Sequence, residues 1–258
     1  MGRVEEYLLK GIREQGCVHL TLIDPDKIGP ERAAEIAHKA EAAGSMGIMV
    51  GGSLGVTERM LDETVLSIKK MCKLPVILFP GDVASVSRYA DAIWFLSVLN
   101  SSSTYHIIGA QVKGGVIVRR YGLEAISLAY LILGQGGVVS YVSQTRPLPL
   151  ESPQLVKAYA IAAELMGFHF LYLEGGSGGK PIPPEVVREV REAVKLPLIV
   201  GGGVRERKIA EELASAGADI IVTGNVVEEV DDVGEVVKEI VEGLKRGVKL
   251  RRGNVEVR

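Results

Sequence analysis

The strongest constraint on this chain is a rhythm of short apolar runs. Eight of them, at residues 18–23, 47–50, 75–79, 92–96, 125–133, 170–173, 198–200 and 219–222, are bounded by Gly, Pro or polar turns. Most are separated by amphipathic, helix-like stretches at residues 30–43, 57–71, 105–118, 153–166, 184–194, 206–216 and 226–245. A continuous apolar run suits a strand buried on both faces, and crossover helices bury both faces only when the sheet is parallel. Eight such units in 258 residues match one closed (β/α)8 barrel, which takes about 250 residues. The expectation is an α/β protein with a single domain over residues 1–258. An open doubly wound sheet is the alternative, and the number of units favours closure.

Local repeats support the same architecture. Lys73-Leu74-Pro75-Val76-Ile77 matches Lys195-Leu196-Pro197-Leu198-Ile199, and Ala43-Gly44 matches Ala216-Gly217, each ahead of an apolar run. The segment after Phe79 is short and weakly helical, so one outer helix is expected to be missing or reduced: a modified TIM barrel. Residues 138–142 read as an extra strand paired back through the glycine turn at 134–137.

Composition narrows the function. Apolar residues make up 47% and aromatics only 5%, so Val, Ile, Leu and Ala must build the core. A net charge of −2 excludes a broad nucleic-acid surface. Cys17 and Cys72 supply no disulfide framework and suit a reducing, cytoplasmic setting. The longest largely apolar run, 125–133, is too short to span a bilayer, which takes about 20 residues. No transmembrane segment is expected.

Chemistry in such barrels gathers at the C-terminal ends of the strands. The first run ends in Asp24-Pro25-Asp26-Lys27 and the second in Gly51-Gly52-Ser53. The sixth ends in Tyr172-Leu173-Glu174-Gly175-Gly176-Ser177-Gly178-Gly179, the seventh in Gly201-Gly202-Gly203, the eighth in Thr223-Gly224-Asn225. Three Gly-rich ends in succession let backbone amides converge on a phosphate. Tight turns alone would explain a single glycine pair. Glu174 can accept a proton from a substrate hydroxyl, and its competing role is a buried salt bridge with a neighbouring Lys or Arg. Tyr172, two residues earlier, shares its strand face. Asp24, Asp26 and Ser53 offer hard oxygens of the kind Mg²⁺ accepts alongside substrate phosphates. Asp-Pro-Asp serves equally well as a turn and helix cap. Asp231-Asp232 reads as helix-start charge. Trp94 and Phe95 point to opposite faces of their strand, so only one of them faces the barrel interior.

These segments together resemble the geranylgeranylglyceryl phosphate synthase family. The resemblance rests on His19-Leu20-Thr21-Leu22-Ile23-Asp24-Pro25-Asp26-Lys27, Val50-Gly51-Gly52-Ser53, Tyr172 through Gly178, Ile199-Val200-Gly201-Gly202-Gly203 and Val222-Thr223-Gly224-Asn225. It extends through residues 92–101 and 107–111, and spans about residues 17–227. It implies a Mg²⁺-dependent prenyltransferase of archaeal ether-lipid synthesis. Such an enzyme moves a geranylgeranyl group from geranylgeranyl diphosphate to the sn-3 hydroxyl of sn-glycerol 1-phosphate and releases diphosphate. Carried over by motif, Asp24 and Ser53 hold the metal. Tyr172, Leu173, Glu174, Gly175, Gly176, Ser177, Gly178, Gly201, Gly202, Gly224 and Asn225 hold glycerol phosphate, and Glu174 takes the proton. The related bacterial heptaprenylglyceryl phosphate synthases carry a lysine two residues before the metal aspartate, where this chain has Leu22. Asn225 stands where a Thr is often expected. The resemblance further implies a homo-oligomer, a dimer or a hexamer.

Overall fold

Each apolar run becomes a strand of one closed parallel barrel. A computed structural model describes residues 2–176 and 178–255. The strands are β1 (Val18–Ile23), β2 (Gly47–Val50), β3 (Val76–Leu78), β4 (Ala92–Val98), β5 (Glu124–Ile132), β6 (Phe170–Glu174), β7 (Leu198–Gly201) and β8 (Ile220–Thr223). They pair in sequence order, and β8 returns to β1 through Val18↔Ile220 and Thr21↔Thr223. The open-sheet alternative is thereby excluded.

Side chains alternate across the barrel wall as strand geometry requires. Leu20, Met49, Ile77, Trp94, Ile126, Leu128, Phe170, Tyr172, Ile199 and Ile220 fill the interior. Two further clusters face outward against the helices. Trp94, Tyr130, Phe170 and Tyr172 share the interior with branched aliphatic residues, while small alanines pack the helices onto the sheet.

Helix α1 (Arg3–Gln15) closes the N-terminal end, an element the sequence rhythm did not show. Val4 and Leu8 reach into the interior cluster beside Val18 and Leu20. The Glu124 carboxylate fixes its start, accepting the N–H groups of Val4 at 2.8 Å and Glu5 at 2.7 Å. A carboxylate there satisfies orphan donors and complements the helix dipole.

Helices α2 (Pro30–Ala42) and α3 (Glu58–Met71) follow β1 and β2. No helix follows β3: residues 79–91 run as a loop to β4, as the weak pattern there predicts. The expected helix at 105–118 begins instead as a π-helical turn, Tyr105–Gly109, and continues as α4 (Ala110–Tyr121). Residues 138–142 are not a strand. They lie in α5 (Gly137–Val142), because the closed barrel leaves no free strand edge to pair with. Then come α6 (Pro153–Leu165), α7 (Pro184–Ala193) and α8 (Arg207–Ala216). The last predicted helix is split into α9 (Asn225–Glu229) and α10 (Val233–Val255). Asp232 caps the start of α10, accepting the Glu235 N–H at 3.1 Å, in keeping with its reading as helix-start charge. No described helix is long and apolar enough to cross a membrane.

Glu124→Gln removes the charge from two short, part-buried bonds to α1. It is expected to cost about 1–2 kcal/mol of stability. Urea denaturation checks this, with the barrel's circular dichroism unchanged before the transition.

Candidate active site

Two recesses meet at the C-terminal rim. The first is a polar nest built from the ends of β6, β7 and β8. Gly178, Gly202, Gly203, Gly224 and Asn225 line it, with Tyr172, Glu174 and Arg205. Gly202 adopts φ +88°, and a Cβ there would come within 2.8 Å of both Glu174 Oε1 and the Gly176 nitrogen. Only glycine fits that turn, and the crowding holds the loops after β6 and β7 together. Gly178 lies beside the Asn225 side chain, which draws in the end of β8.

The second recess is a long, mostly apolar cleft. It starts at Asp24, Gly52 and Ser53, passes Phe79, Val83 and Val86, and runs along β4 beneath α4 and α5. Phe95 lies on the outer face of β4 with Val86 and Val118 around it, and Gly115 of α4 faces its ring. Trp94 points the other way, into the barrel against Phe170, with ring centroids 5.2 Å apart. The missing helix after β3 and the glycines of α4 leave the room that this cleft occupies.

Glu174 stands where the two recesses join. It borders both, together with Leu22, Gly224 and Asn225. Its carboxylate accepts the Gly176 N–H at 2.7 Å and the Tyr130 hydroxyl at 3.1 Å, and Tyr172 also hydrogen-bonds to it. Among the described residues, no cation pairs with it, so the salt-bridge alternative has no partner. Burial pushes its pKa above the ordinary carboxylate range, against the pull of those three donors. Phe79, Tyr130 and Tyr172 cluster beside it, with centroids 5.1–5.6 Å apart.

At the mouth of the cleft the Asp24 carboxylate lies against Gly52, where a Cβ would collide with it. Ser53 follows in the same lining. Burial raises the Asp24 pKa. Asp26 is exposed, lies beside Gly55 and donates its N–H to Asp24 Oδ1 at 3.1 Å. It shapes the turn and does not line the cleft. The described residues contain no cluster of three or more His, Cys, Asp or Glu side chains able to cage a metal. The Asp24 carboxylate and Ser53 hydroxyl beside the recess are hard oxygens of the kind that could hold Mg²⁺ together with substrate phosphates.

Not every predicted site residue contributes a side chain. Leu173 points outward into the helix-facing core, so only its backbone is near the nest. The amides of Gly175 and Gly176 are already committed, to Gly201 O and to Glu174. Gly201 closes the end of β7. Ser177 lies outside the described residues. Three charged residues were missed: Arg205 beside the nest, and Lys27 and Glu228 at the cleft mouth. Lys27 stood in the quoted strand-end motif, whereas nothing in the sequence brings Glu228 to Asp24. Among the described strands none has a lysine as its last residue, and Lys27, four residues past β1, is paired with Glu228 and Asp24.

Gly202→Ala forces a strained φ and presses on Glu174. It is expected to weaken binding of a small phosphate ester in the nest tenfold or more, read by calorimetry, while circular dichroism stays native.

Comparison with known proteins agrees with this geometry. The model of the PcrB family matches residues 10–244. A geranylgeranylglyceryl phosphate synthase of Thermofilum pendens is 58% identical over 246 residues, covering 95% of this chain and 96% of that protein. One from Pyrococcus abyssi is 46% identical over 250 residues, covering 96% and 99%. The crystal structure of (S)-3-O-geranylgeranylglyceryl phosphate synthase from Thermoplasma acidophilum, in complex with its substrate sn-glycerol-1-phosphate, superposes with a TM-score of 0.92. It is 41% identical and covers 95% of this chain and 99% of that one. The chain therefore belongs to the PcrB family, in company with the geranylgeranylglyceryl phosphate synthases it matches over nearly their full length.

Proposed function

We propose that this protein transfers the geranylgeranyl group of geranylgeranyl diphosphate to the sn-3 hydroxyl of sn-glycerol 1-phosphate, with Mg²⁺, releasing diphosphate in ether-lipid synthesis. The observation that carries the reading is the position of Glu174 at the junction of a polar nest and an apolar cleft. One recess suits a small phosphate ester and the other a long hydrocarbon. The T. acidophilum relative, which binds sn-glycerol-1-phosphate, supports the assignment of the acceptor.

In this reading the acceptor phosphate rests among Gly202, Gly203, Gly224 and Asn225, with Arg205 adding positive charge. Its free hydroxyls then extend towards Glu174. The prenyl tail runs along β4 past Phe95, where Val86, Val118 and Val139 exclude water. Asp24 and Ser53 would hold Mg²⁺, which when bound neutralises charge on the leaving diphosphate. The allylic carbon sits near Phe79 and Tyr130, which line the cleft and are backed by Tyr172, and their rings favour a developing cation. Three of the chain's thirteen aromatic residues thus meet at the reacting centre. Glu174 accepts the proton as the hydroxyl oxygen attacks, and its raised pKa makes it a better base than an ordinary carboxylate.

Assembly and compartment complete the proposal. Leu165 and Met166, at the end of α6, are 83% and 66% exposed, and Leu155 and Ile161 of the same helix are exposed too, apolar side chains that a homo-oligomer contact would cover. Two buried free cysteines suit a reducing cytoplasm.

Glu174→Gln tests the base. It is expected to lower kcat by ~10²–10⁴-fold, with the Kd for sn-glycerol 1-phosphate changed far less. The raised folded pKa means that ionised Glu174 costs stability above that pKa and nothing below the ordinary carboxylate value. The variant should therefore match or exceed the wild-type Tm at neutral pH, with the difference vanishing as the pH falls. A folded variant with near-native kcat would exclude the base role. For the metal, Asp24→Asn is expected to abolish transfer at any Mg²⁺ concentration, while Asp26→Asn loses little. Full wild-type activity in excess chelator would contradict the metal assignment.

A further inference from the structure

Two charged side chains at the cleft mouth, Lys27 and Glu228, have no part in the reaction described above. Among the described residues lining the cleft, Lys27 is the only lysine or arginine, alongside Asp24, Asp82, Glu174 and Glu228. Its ammonium donates to Glu228 Oε2 at 3.2 Å and lies 3.6 Å from Asp24 Oδ2. The other Glu228 oxygen accepts the backbone N–H of Asp24 at 2.9 Å. The Glu228 side chain is only 6% exposed, against 47% for Lys27. A buried carboxylate on α9 thus holds a half-open cation beside the metal-binding aspartate.

Charge balance gives this arrangement a consequence. Among the described residues the cleft lining carries no further lysine or arginine beside its Asp and Glu side chains, and a prenyl diphosphate brings more negative charge to its mouth. A bare acidic rim would repel that headgroup. The second cation of the site, Arg205, lines the nest on the other side of Glu174 and does not line the cleft. Each substrate therefore meets one basic side chain. An ammonium carries three N–H donors, and Glu228 takes one, so Lys27 can engage a diphosphate oxygen without leaving Glu228.

We propose that Lys27 is a binding residue for the donor's diphosphate, held at the cleft mouth by Glu228 as its positioning residue. On arrival of the donor, Lys27 turns from Asp24 to a diphosphate oxygen and keeps its bond to Glu228. The inference rests on the prenyl-transfer reading and adds to it the side chain that receives the leaving group. A purely structural Lys27 would only neutralise Asp24 and Glu228.

The test is binding of inorganic pyrophosphate with Mg²⁺, by calorimetry, to wild type, Lys27→Met, Lys27→Arg and the double variant Lys27→Met/Glu228→Gln. Melting temperatures, sn-glycerol 1-phosphate affinity and KM for geranylgeranyl diphosphate are measured alongside. Lys27→Met is expected to weaken pyrophosphate binding at least tenfold and to raise the donor KM. Its affinity for sn-glycerol 1-phosphate should stay within twofold, and Lys27→Arg should recover part of the loss. The double variant relieves the uncompensated carboxylate, so its Tm should recover while pyrophosphate still binds weakly. It also carries the test if the single variant does not fold. Wild-type pyrophosphate affinity in either Met variant would overturn the proposal and leave Lys27 a structural counter-ion. Failure of the prenyl-transfer reading has a different signature: wild-type protein that binds pyrophosphate through Lys27 yet transfers no prenyl group.

Discussion

A carboxylate buried without a cation is costly, and Glu174 is such a group. The chain offsets the cost with three hydrogen bonds, from the Gly176 amide and the hydroxyls of Tyr130 and Tyr172. Each donor imposes a further requirement. The Gly176 amide needs the sharp loop after β6, which packs against Gly202 and so fixes the loop after β7. The two tyrosines need interior positions on neighbouring strands, where Tyr130 and Tyr172 are paired in register. The nest, the aromatic cluster and the junction of the two recesses all follow from keeping this acid ionisable inside the barrel.

The second constraint is coverage of the sheet. A parallel sheet needs apolar material on both faces. Between β3 and β4 the crossover helix is absent, and α4 meets β4 through Gly115, against Phe95, and Val118, while Gly114 opens onto the cleft. The wall there is thin on the outside and lined by Phe95, Val86 and Ile93. Such a surface is stable when hydrocarbon covers it, which is what a prenyl chain supplies. In the proposed reaction the prenyl chain lies along this defect in the helical layer.

Most of the barrel could be read from the sequence, because strands buried on both faces appear as unbroken apolar runs and glycines mark their functional ends. Glu174 and Tyr172 were placed on one face by strand parity alone, and the separation of Trp94 from Phe95 followed from the same alternation. What escaped was tertiary. Residues 138–142 carry strand-like valines, yet closure of the barrel leaves them no edge, and they coil into α5. Helix α1 lies before the first strand, outside the repeating rhythm. Phe79, Tyr130 and Tyr172 are scattered over nearly a hundred positions and meet only through strand register. Glu228 is 204 residues from Asp24 in the chain, so its bond to that residue's amide exists only once β8 closes on β1.

The most direct measurement is a crystal structure with sn-glycerol 1-phosphate and a thiodiphosphate analogue of the prenyl donor bound together. The expected result has the phosphate among Gly202, Gly203, Gly224 and Asn225. A free hydroxyl lies about 3 Å from the Glu174 carboxylate, within hydrogen-bond reach. The hydrocarbon extends between β4 and α4 past Phe95. A phosphate bound at the α1 end of the barrel, or a Glu174 carboxylate out of reach of every acceptor hydroxyl, would contradict it.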